Sequence, residues 1–550
     1  MSSHLSTLLS RMSPALLAVL KYYALFRILG WLSKPLYSPS LLRDIPGPRP
    51  QSWFTGASGN LGQLFNAKGL PFHHDLVERY GGMIKVYGFF GDEQLYISDP
   101  RALQSILGKE QDAYEETAVF VETNRVIFGP GLVSTTGDIH KRQRKLVNPI
   151  FSPSNLRELV PGFYGVAERL IAILIDECRA QGGTSIIDMS EWMSRTTLEA
   201  VGQTVLGHSF DPLDSPVNNP YTYAIRELIP TIFSLSLVRQ FAPFLVRLGP
   251  AWMRRRLVEW TPNAAVQKVK RMSDVMHQTA VDILADAREG LRQEGERLRA
   301  NEIASANEQL SETELTGQIT VMVFGAQDTS SSALSRLLYM LAVRPDIQQN
   351  IRLEIRAAHA SAGRRLNLDE ISALPWLDAV LKETLRLYPP VPFVRRSALE
   401  ERSIPFSTPS GNVSSVTIPR GTTLFLGIAG ANRLQTVWGP DAAEWKPDRW
   451  FKGDHQVDSS GRRLPGIYSG IMSFLGGQRS CIGYKFAEIE IKILLIMLVS
   501  RFEISPTKHD IVWNLSQIIS PSVKTTDSGH IISEEKGLPL PHEAHRGTQC

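Results

Sequence analysis

Cysteine is scarce in this 550-residue chain: there are three, Cys178, Cys481 and Cys550, far apart and odd in number. That excludes a disulfide framework and a clustered zinc site, and restricts sulfur chemistry to a single thiolate. An excess of charge of one sign is equally missing. The 59 basic and 55 acidic residues leave a net charge of +4 and are mixed along the chain, without the basic stripe that nucleic acid would demand. No G-x-G-x-x-G fingerprint occurs, so nothing points to a dinucleotide fold within the chain, and no internal repeat is seen.

The composition is globular, 43% hydrophobic and 21% charged, and able to bury a substantial core. One long apolar run, Pro14 to Leu32, is close to the roughly twenty residues a bilayer span needs, although Lys21 and Arg27 interrupt it. It reads as a membrane anchor, either spanning the bilayer or lying on its surface, an alternative that Tyr22, Tyr23 and Trp31 would also suit. Lys34, Arg43 and Arg49 beyond the run outnumber Arg11 before it, which puts the body of the chain in the cytosol. Lys34 to Pro50 then carries five prolines and reads as a stiff, non-helical hinge.

Further on, Met83 to Tyr87 and Gln94 to Ser98 read as a β-hairpin, and most of the chain beyond Ser98 reads as helix. Glu289 to Glu312 is polar without apolar periodicity and reads as an exposed connection. Ser311 and Glu314 have capping-box spacing, opening a helix that runs to Arg344 before Pro345 ends it. A helix of about thirty residues is about 45 Å long and must cross the whole protein. Helices are expected at Asp346 to Ala360, Pro375 to Leu387 and after Cys481, and short strands at Ser415 to Ile418 and Thr422 to Leu426. The expected architecture is mainly α with small β-sheets: an anchor at 1–33, a hinge at 34–50, a catalytic body at 51–525 and a polar tail at 526–550. Cys178 falls in an apolar helical run and Cys550 ends the tail, so both read as structural or incidental.

The segment Phe474-Leu475-Gly476-Gly477-Gln478-Arg479-Ser480-Cys481-Ile482-Gly483 fills every fixed position of F-x-x-G-x-R-x-C-x-G. Chance would produce this on the order of once in ten thousand such chains. Here the chain resembles the cytochrome P450 superfamily, and the resemblance extends over nearly its whole length. It implies a long central helix over a haem b whose iron is held by Cys481, in a loop shaped by Phe474, Gly477, Arg479 and Gly483. The physical needs agree: glycines let backbone approach a flat ring, amide hydrogens moderate the thiolate charge, and an arginine offers a fork of donors to a propionate.

Glu383 to Arg386 resembles the family's E-x-x-R, and Pro447-Asp448-Arg449-Trp450 its P-x-R-x segment. A Glu and an Arg three apart on a helix make an ordinary ion pair. The resemblance implies more, a buried triad of Glu383, Arg386 and Arg449 that locks the cysteine loop. Gly325-Ala326-Gln327-Asp328-Thr329-Ser330 is similar to the family's oxygen-handling stretch, with Ala326 where glycine is usual. Asp328 and Thr329 are thereby implied to relay protons to bound oxygen. The alternative is that Thr329 bonds back to a helix carbonyl and Asp328 is solvated. Arg144 and Arg396 match the family's propionate-binding arginines, with Arg395 a near alternative. His140 stands where a tryptophan is usual, so it is either part of that site or a surface residue.

The resemblance also places substrate contacts at Tyr114 to Val133, Val321 to Phe324, Val391 to Val394 and near Ile518, mostly apolar side chains that suit a hydrophobic small molecule. It implies oxygen insertion with electrons drawn indirectly from NADPH through a separate cytochrome P450 reductase, with cytochrome b5 as a second candidate donor. Lys141, Arg142, Lys145 and Lys485 are either its docking charges or a solvated face. Anchor and hinge resemble those of endoplasmic-reticulum members, and the motifs resemble fungal ones, which points to secondary metabolism such as terpenoid oxidation. Two rivals, a peroxide-rearranging isomerase and a haem sensor, have less use for Asp328-Thr329.

Overall fold

A capping box opens the longest described helix: the Ser311 hydroxyl accepts from the Glu314 amide at 3.3 Å, and the Glu314 carboxylate accepts from the Ser311 amide at 2.9 Å. The computed structural model describes residues 40–50, 59–213, 220–293, 310–408, 410–452, 463–527 and 530–544. Ten helices within them are α1 (Ala118–Phe128), α2 (Gly137–Val147), α3 (Pro153–Ala180), α4 (Met189–Val201), α5 (Pro220–Ser234), α6 (Ala264–Gln293), α7 (Glu312–Val343), α8 (Pro345–Ala362), α9 (Pro375–Leu387) and α10 (Tyr484–Arg501).

The capped helix is α7, which packs against α4, α6, α9 and α10. Its second half is buried on most sides: Leu334, Leu337, Leu338 and Leu341 form an apolar stripe, and Ser331, Ser332, Ser335 and Arg336 around it are buried too. Burial of each such leucine stabilises the fold by about 1.5–3 kcal/mol. Pro345 cannot continue α7 and instead begins α8. Helix α10 is likewise buried along its length, with Ile491, Ile493, Leu494 and Leu495 at or near zero exposure.

The strands are β1 (Met83–Tyr87), β2 (Glu93–Ile97), β3 (Tyr114–Glu115), β4 (Thr184–Asp188), β5 (Val394–Ala398), β6 (Arg402–Ser407), β7 (Val413–Ile418), β8 (Thr423–Leu426), β9 (Phe502–Ile504), β10 (Asp510–Ser516), β11 (Ile518–Asp527), β12 (His530–Lys536) and β13 (Pro539–Ala544). They form small sheets: β1-β2-β8-β5-β3, β10-β11-β12, β4-β13-β9 and β6-β7. The expected hairpin is present as β1–β2, pairing Met83 with Ile97. The mainly α class with small sheets is therefore the observed one.

Three expectations change. Helix α6 runs to Gln293, so the polar stretch from Glu289 begins as helix, and residues 294–309 lie outside the described residues. The described part of the proline-rich segment is docked: Leu42 and Ile45 are buried in the main core, and the Pro46 carbonyl accepts from the Lys85 amide at 2.8 Å. It is hydrogen-bonded to β1 and packed on the body rather than standing apart from it as a hinge. The expected tail is also part of the body as far as Ala544, because β13 pairs with both β4 and β9 and buries Leu540 and His542. Cys178 is buried beside it, with Sγ 3.6 Å from the His542 carbonyl. The apolar run Pro14 to Leu32 and Cys550 lie outside the described residues, among which no helix is long and apolar enough to cross a membrane.

Candidate active site around Cys481

Two short 3-10 turns, Met472–Phe474 and Gly477–Arg479, fold the cysteine loop back on itself. The Cys481 amide donates to the Phe474 carbonyl at 2.9 Å and closes it. Gly477 has φ +71° and lies so close to the Leu107 carbonyl that a side chain would overlap it. Gly476, which lies at a free position of the motif, is equally tight against the Pro465 carbonyl. Gly483 is less crowded; its contribution is an amide hydrogen directed at the Cys481 sulfur. Protein surrounds the thiol closely enough that burial pushes its pKa up, while the Gly483 amide and the Arg144 charge pull it back toward thiolate. Cys481 nevertheless keeps accessible surface, unlike Cys178.

The expected arginines converge beside this loop. Arg144 on α2 donates to the Ser480 carbonyl at 2.8 Å and to its hydroxyl at 3.2 Å, next to the cysteine. Arg479 is held by Glu115 on β3, Nε to Oε1 at 2.9 Å, and by the Thr135 carbonyl. Arg396 on β5 pairs with Glu116 at 2.7 Å, and its buried Nη2 has no hydrogen-bond partner. Arg395 points elsewhere, toward Gln240 and the rings of Phe65 and Phe425. His140 is buried, not on the surface. Burial first, then the charge of Arg479, push it down to about 4, so it is neutral at physiological pH.

Three arginines facing two glutamates leave a net positive site with an unused guanidinium hydrogen, which is what an anionic group would complete. Together with the glycine-lined loop and the thiol, these residues fit a haem: Cys481 for the iron, and Arg144, Arg396 and Arg479 for the propionates.

The charge triad is assembled. Glu383 and Arg386 on α9 have no exposed side-chain surface and meet through two bonds, at 2.9 and 2.8 Å. Arg449 reaches Glu383 at 3.2 Å, and the Trp450 indole donates to it at 3.0 Å. Burial opposes the Glu383 charge, but Arg386 overrides it and holds the carboxyl below the usual carboxylate range. Arg386 also donates to the carbonyls of Asn432, Ala442 and Glu444. Asn432 then accepts from the Met472 amide at 2.8 Å and donates to Ser473, whose hydroxyl returns to the Leu385 carbonyl at 2.6 Å. Asn432 and Ser473 are the physical link between the triad and the cysteine loop. No sequence pattern flagged them, because their work is done on backbone atoms.

On α7 the backbone turns two different environments toward Asp328 and Thr329. Gly325 is exposed in the middle of a mostly buried helix, with open space where a Cβ would be, and Thr329 lies one turn on. The Thr329 hydroxyl donates to the Gly325 carbonyl at 2.7 Å, the back-bonding alternative read from sequence. Asp328 is not solvated. It is buried, which raises its pKa, and the charges of Lys536 and Arg226 lower it again. Ser330 lies near Glu490 on α10, nine positions beyond Cys481, although among the described residues neither its hydroxyl nor the Glu490 carboxylate makes a hydrogen bond.

Burial pushes Glu490 up to about 8, against the pull of Ser330. Between the ordinary carboxylate range and about 8 the folded protein binds more protons than the unfolded chain, so stability falls as pH rises through that window. Glu490→Gln is expected to flatten this decline by up to about 1.4 kcal/mol per pH unit, read by thermal unfolding across the window. An unchanged slope would show that this carboxyl titrates normally.

The four regions expected to touch substrate meet in one apolar cluster separate from the main core. It joins Ile127 and Phe128 of α1, Val321 and Phe324 of α7, Val391 and Ile518. Phe128 and Phe324 are in ring contact at 4.7 Å.

A thiol in a tight glycine loop, an arginine cluster, a buried charge triad and a long helix with one exposed glycine at its middle define a haem-thiolate oxygenase. The chain matches the cytochrome P450 family over residues 46–525 and belongs to it. It is 39% identical to cytochrome P450 monooxygenase 81 of Postia placenta over 519 residues, covering 91% of this chain and 92% of that one. It is 38% identical to cytochrome P450 monooxygenase 91 of the same fungus over 92% and 97% of the two chains. Ganoderic acid synthetase CYP5150L8 of Ganoderma lucidum is 34% identical over 88% and 92%. The protein is a monooxygenase of fungal type.

Proposed function

We propose that this monooxygenase inserts one atom of O2 into a hydrophobic small molecule of secondary metabolism, a terpenoid being the first class to test. The observation that carries the reading is the convergence of α1, α7, Val391 and Ile518 in one apolar cluster, on the helix that also bears Gly325 and Thr329. Such a lining binds an apolar molecule with few polar contacts and keeps water out. One relative, the ganoderic acid synthetase, is named for a fungal metabolite, which supports this class.

Bound haem supplies the chemistry: its thiolate ligand donates electron density that favours O–O cleavage. The chain's own residues do the rest. Gly483 and Arg144 favour the Cys481 thiolate against the burial that opposes it, Arg144, Arg396 and Arg479 hold propionates, and Phe474 and Gly477 shape the loop. Glu383, Arg386 and Arg449 act structurally. Asp328 and Thr329 pass protons, Thr329 by leaving the Gly325 carbonyl.

Electrons come from NADPH through a separate reductase, with cytochrome b5 as a second donor. On the side of α2, Arg142 is already paired with Glu314, and Lys141 lies 3.8 Å from Asp112. Lys485, four positions beyond the cysteine, is the better docking charge. We place the protein at the endoplasmic-reticulum membrane with its body in the cytosol, anchored through its N-terminal apolar run. Support comes from residues 236–260, where Phe244, Trp252 and Trp260 are 65–74% exposed among Arg247, Arg254, Arg255 and Arg256.

Co-expression with a reductase, followed by a mass survey of cell extracts, should reveal a hydrophobic product carrying one added oxygen, absent when Cys481 is replaced. Extracts without such a product across terpenoid classes would overturn the proposed substrate. Thr329→Ala should keep haem and substrate binding while product per NADPH falls on the order of tenfold or more and peroxide rises. Unchanged coupling would remove Thr329 from the proton path.

A further inference from the structure

Asp328 opens onto a cavity of about 20 Å³ in which seven of the fourteen lining residues are serines, three of them Ser331, Ser332 and Ser335 on α7. That volume holds about one water, and hydroxyls supply the partners a buried water needs. The cavity does not end blind. Pro230, Ser516, Ser520 and Lys536 line it and also line an outer cleft of about 500 Å³ between α5, the segment around Phe65 and the β10–β12 sheet. The two spaces share one wall, and Lys536 is its only charged member.

The Lys536 ammonium donates to the Arg226 carbonyl at 3.1 Å. The charges acting on it are Asp328, Arg226, Glu227 and Asp188. Most of these have other partners: Arg226 meets Glu191 at 3.2 Å and Asp188 at 4.0 Å, and Glu227 meets Lys268 at 2.8 Å. On the outer side Lys68 pairs with Glu534 at 2.5 Å. Among the described residues Asp328 makes no direct ion pair, so Lys536 acts on it across the cavity that both line.

We propose that this cleft is the entry for protons consumed in turnover, with water reaching the inner cavity past Lys536, a positioning residue that closes the shared wall and sets its charge across the cavity from Asp328. The inference rests on the Asp328–Thr329 relay. Each insertion consumes one O2, two electrons from the reductase and two protons, and yields one hydroxyl on substrate and one water. The protons pass from cleft water to the Asp328 carboxylate and on to the Thr329 side.

The test uses haem-loaded protein and three variants, Lys536→Met, Lys536→Arg and Asp328→Asn. The infrared band of the protonated Asp328 carboxyl, assigned by its loss in Asp328→Asn, should titrate at higher pH in Lys536→Met and return toward the original midpoint in Lys536→Arg. Peroxide released per NADPH should rise severalfold in Lys536→Met and recover in Lys536→Arg. If Lys536→Met changes neither readout while Asp328→Asn uncouples, the route is wrong and the relay stands. If Asp328→Asn is also fully coupled, the relay fails and the route with it. Should Lys536→Met not take up haem, Ser520→Val decides. Narrowing the wall without touching a charge should slow product formation and enlarge the solvent deuterium isotope effect, and parent values for both would overturn the route.

Discussion

Cys481→Ser and Cys481→His are expected to lose the red-shifted absorption of the ferrous carbon monoxide complex together with all oxygen insertion, even where haem is retained. Neither an alkoxide-type oxygen nor an imidazole gives the electronic push of a thiolate. Cys178→Ser should keep the shift, since Cys178 is buried against the His542 carbonyl, and Cys550→Ser should keep it too. Haem content must be measured alongside, because the Cys481 amide also closes the loop on Phe474. A haem-loaded Cys481 variant with a thiolate spectrum and full turnover would contradict the assignment of the site.

Glu383→Ala should be the most destabilising of the charge-triad changes, on the order of 3–5 kcal/mol, because it leaves Arg386 charged, buried and unpaired. The damage should travel. Arg386 fixes the Asn432 carbonyl, and Asn432 fixes Met472 and Ser473 at the base of the cysteine loop. Haem content should therefore fall with stability, although Glu383 touches no residue of the 474–483 loop. Because the Glu383 carboxyl is held below its ordinary range, its contribution is present above the unfolded pKa and is lost as pH falls through the folded one. Glu383→Gln should accordingly be least different from the parent in acid. Parent-like haem content and unfolding temperature in Glu383→Ala would show that the triad does not support the loop.

Local signals made much of this fold readable from sequence. The capping box at Ser311, the proline at 345 and the two short β-like runs flanking the turn at residues 88–93 act within a few residues, and α7 and the hairpin match them closely. The loop around Cys481 was readable because backbone crowding permits only glycine at 477. Strand β13 was not, since Pro539 and Pro541 argue against a central strand. They are tolerated because they pair only with β4, while β9 pairs with His542 to Ala544. The docking of residues 40–50 could have been suspected from Leu42 and Ile45, two apolar side chains among prolines. The meeting of Asp328 with Lys536 joins the middle of α7 to the end of β12, and no local pattern encodes it.

The central claim, that one atom of molecular oxygen enters the substrate, is most directly tested with oxygen-18 gas supplied to the reconstituted enzyme, reductase and NADPH. The product should carry one labelled oxygen from the gas and none from labelled water. A product of unchanged mass, or one labelled only from water, would contradict it and favour a rearranging enzyme on the same fold.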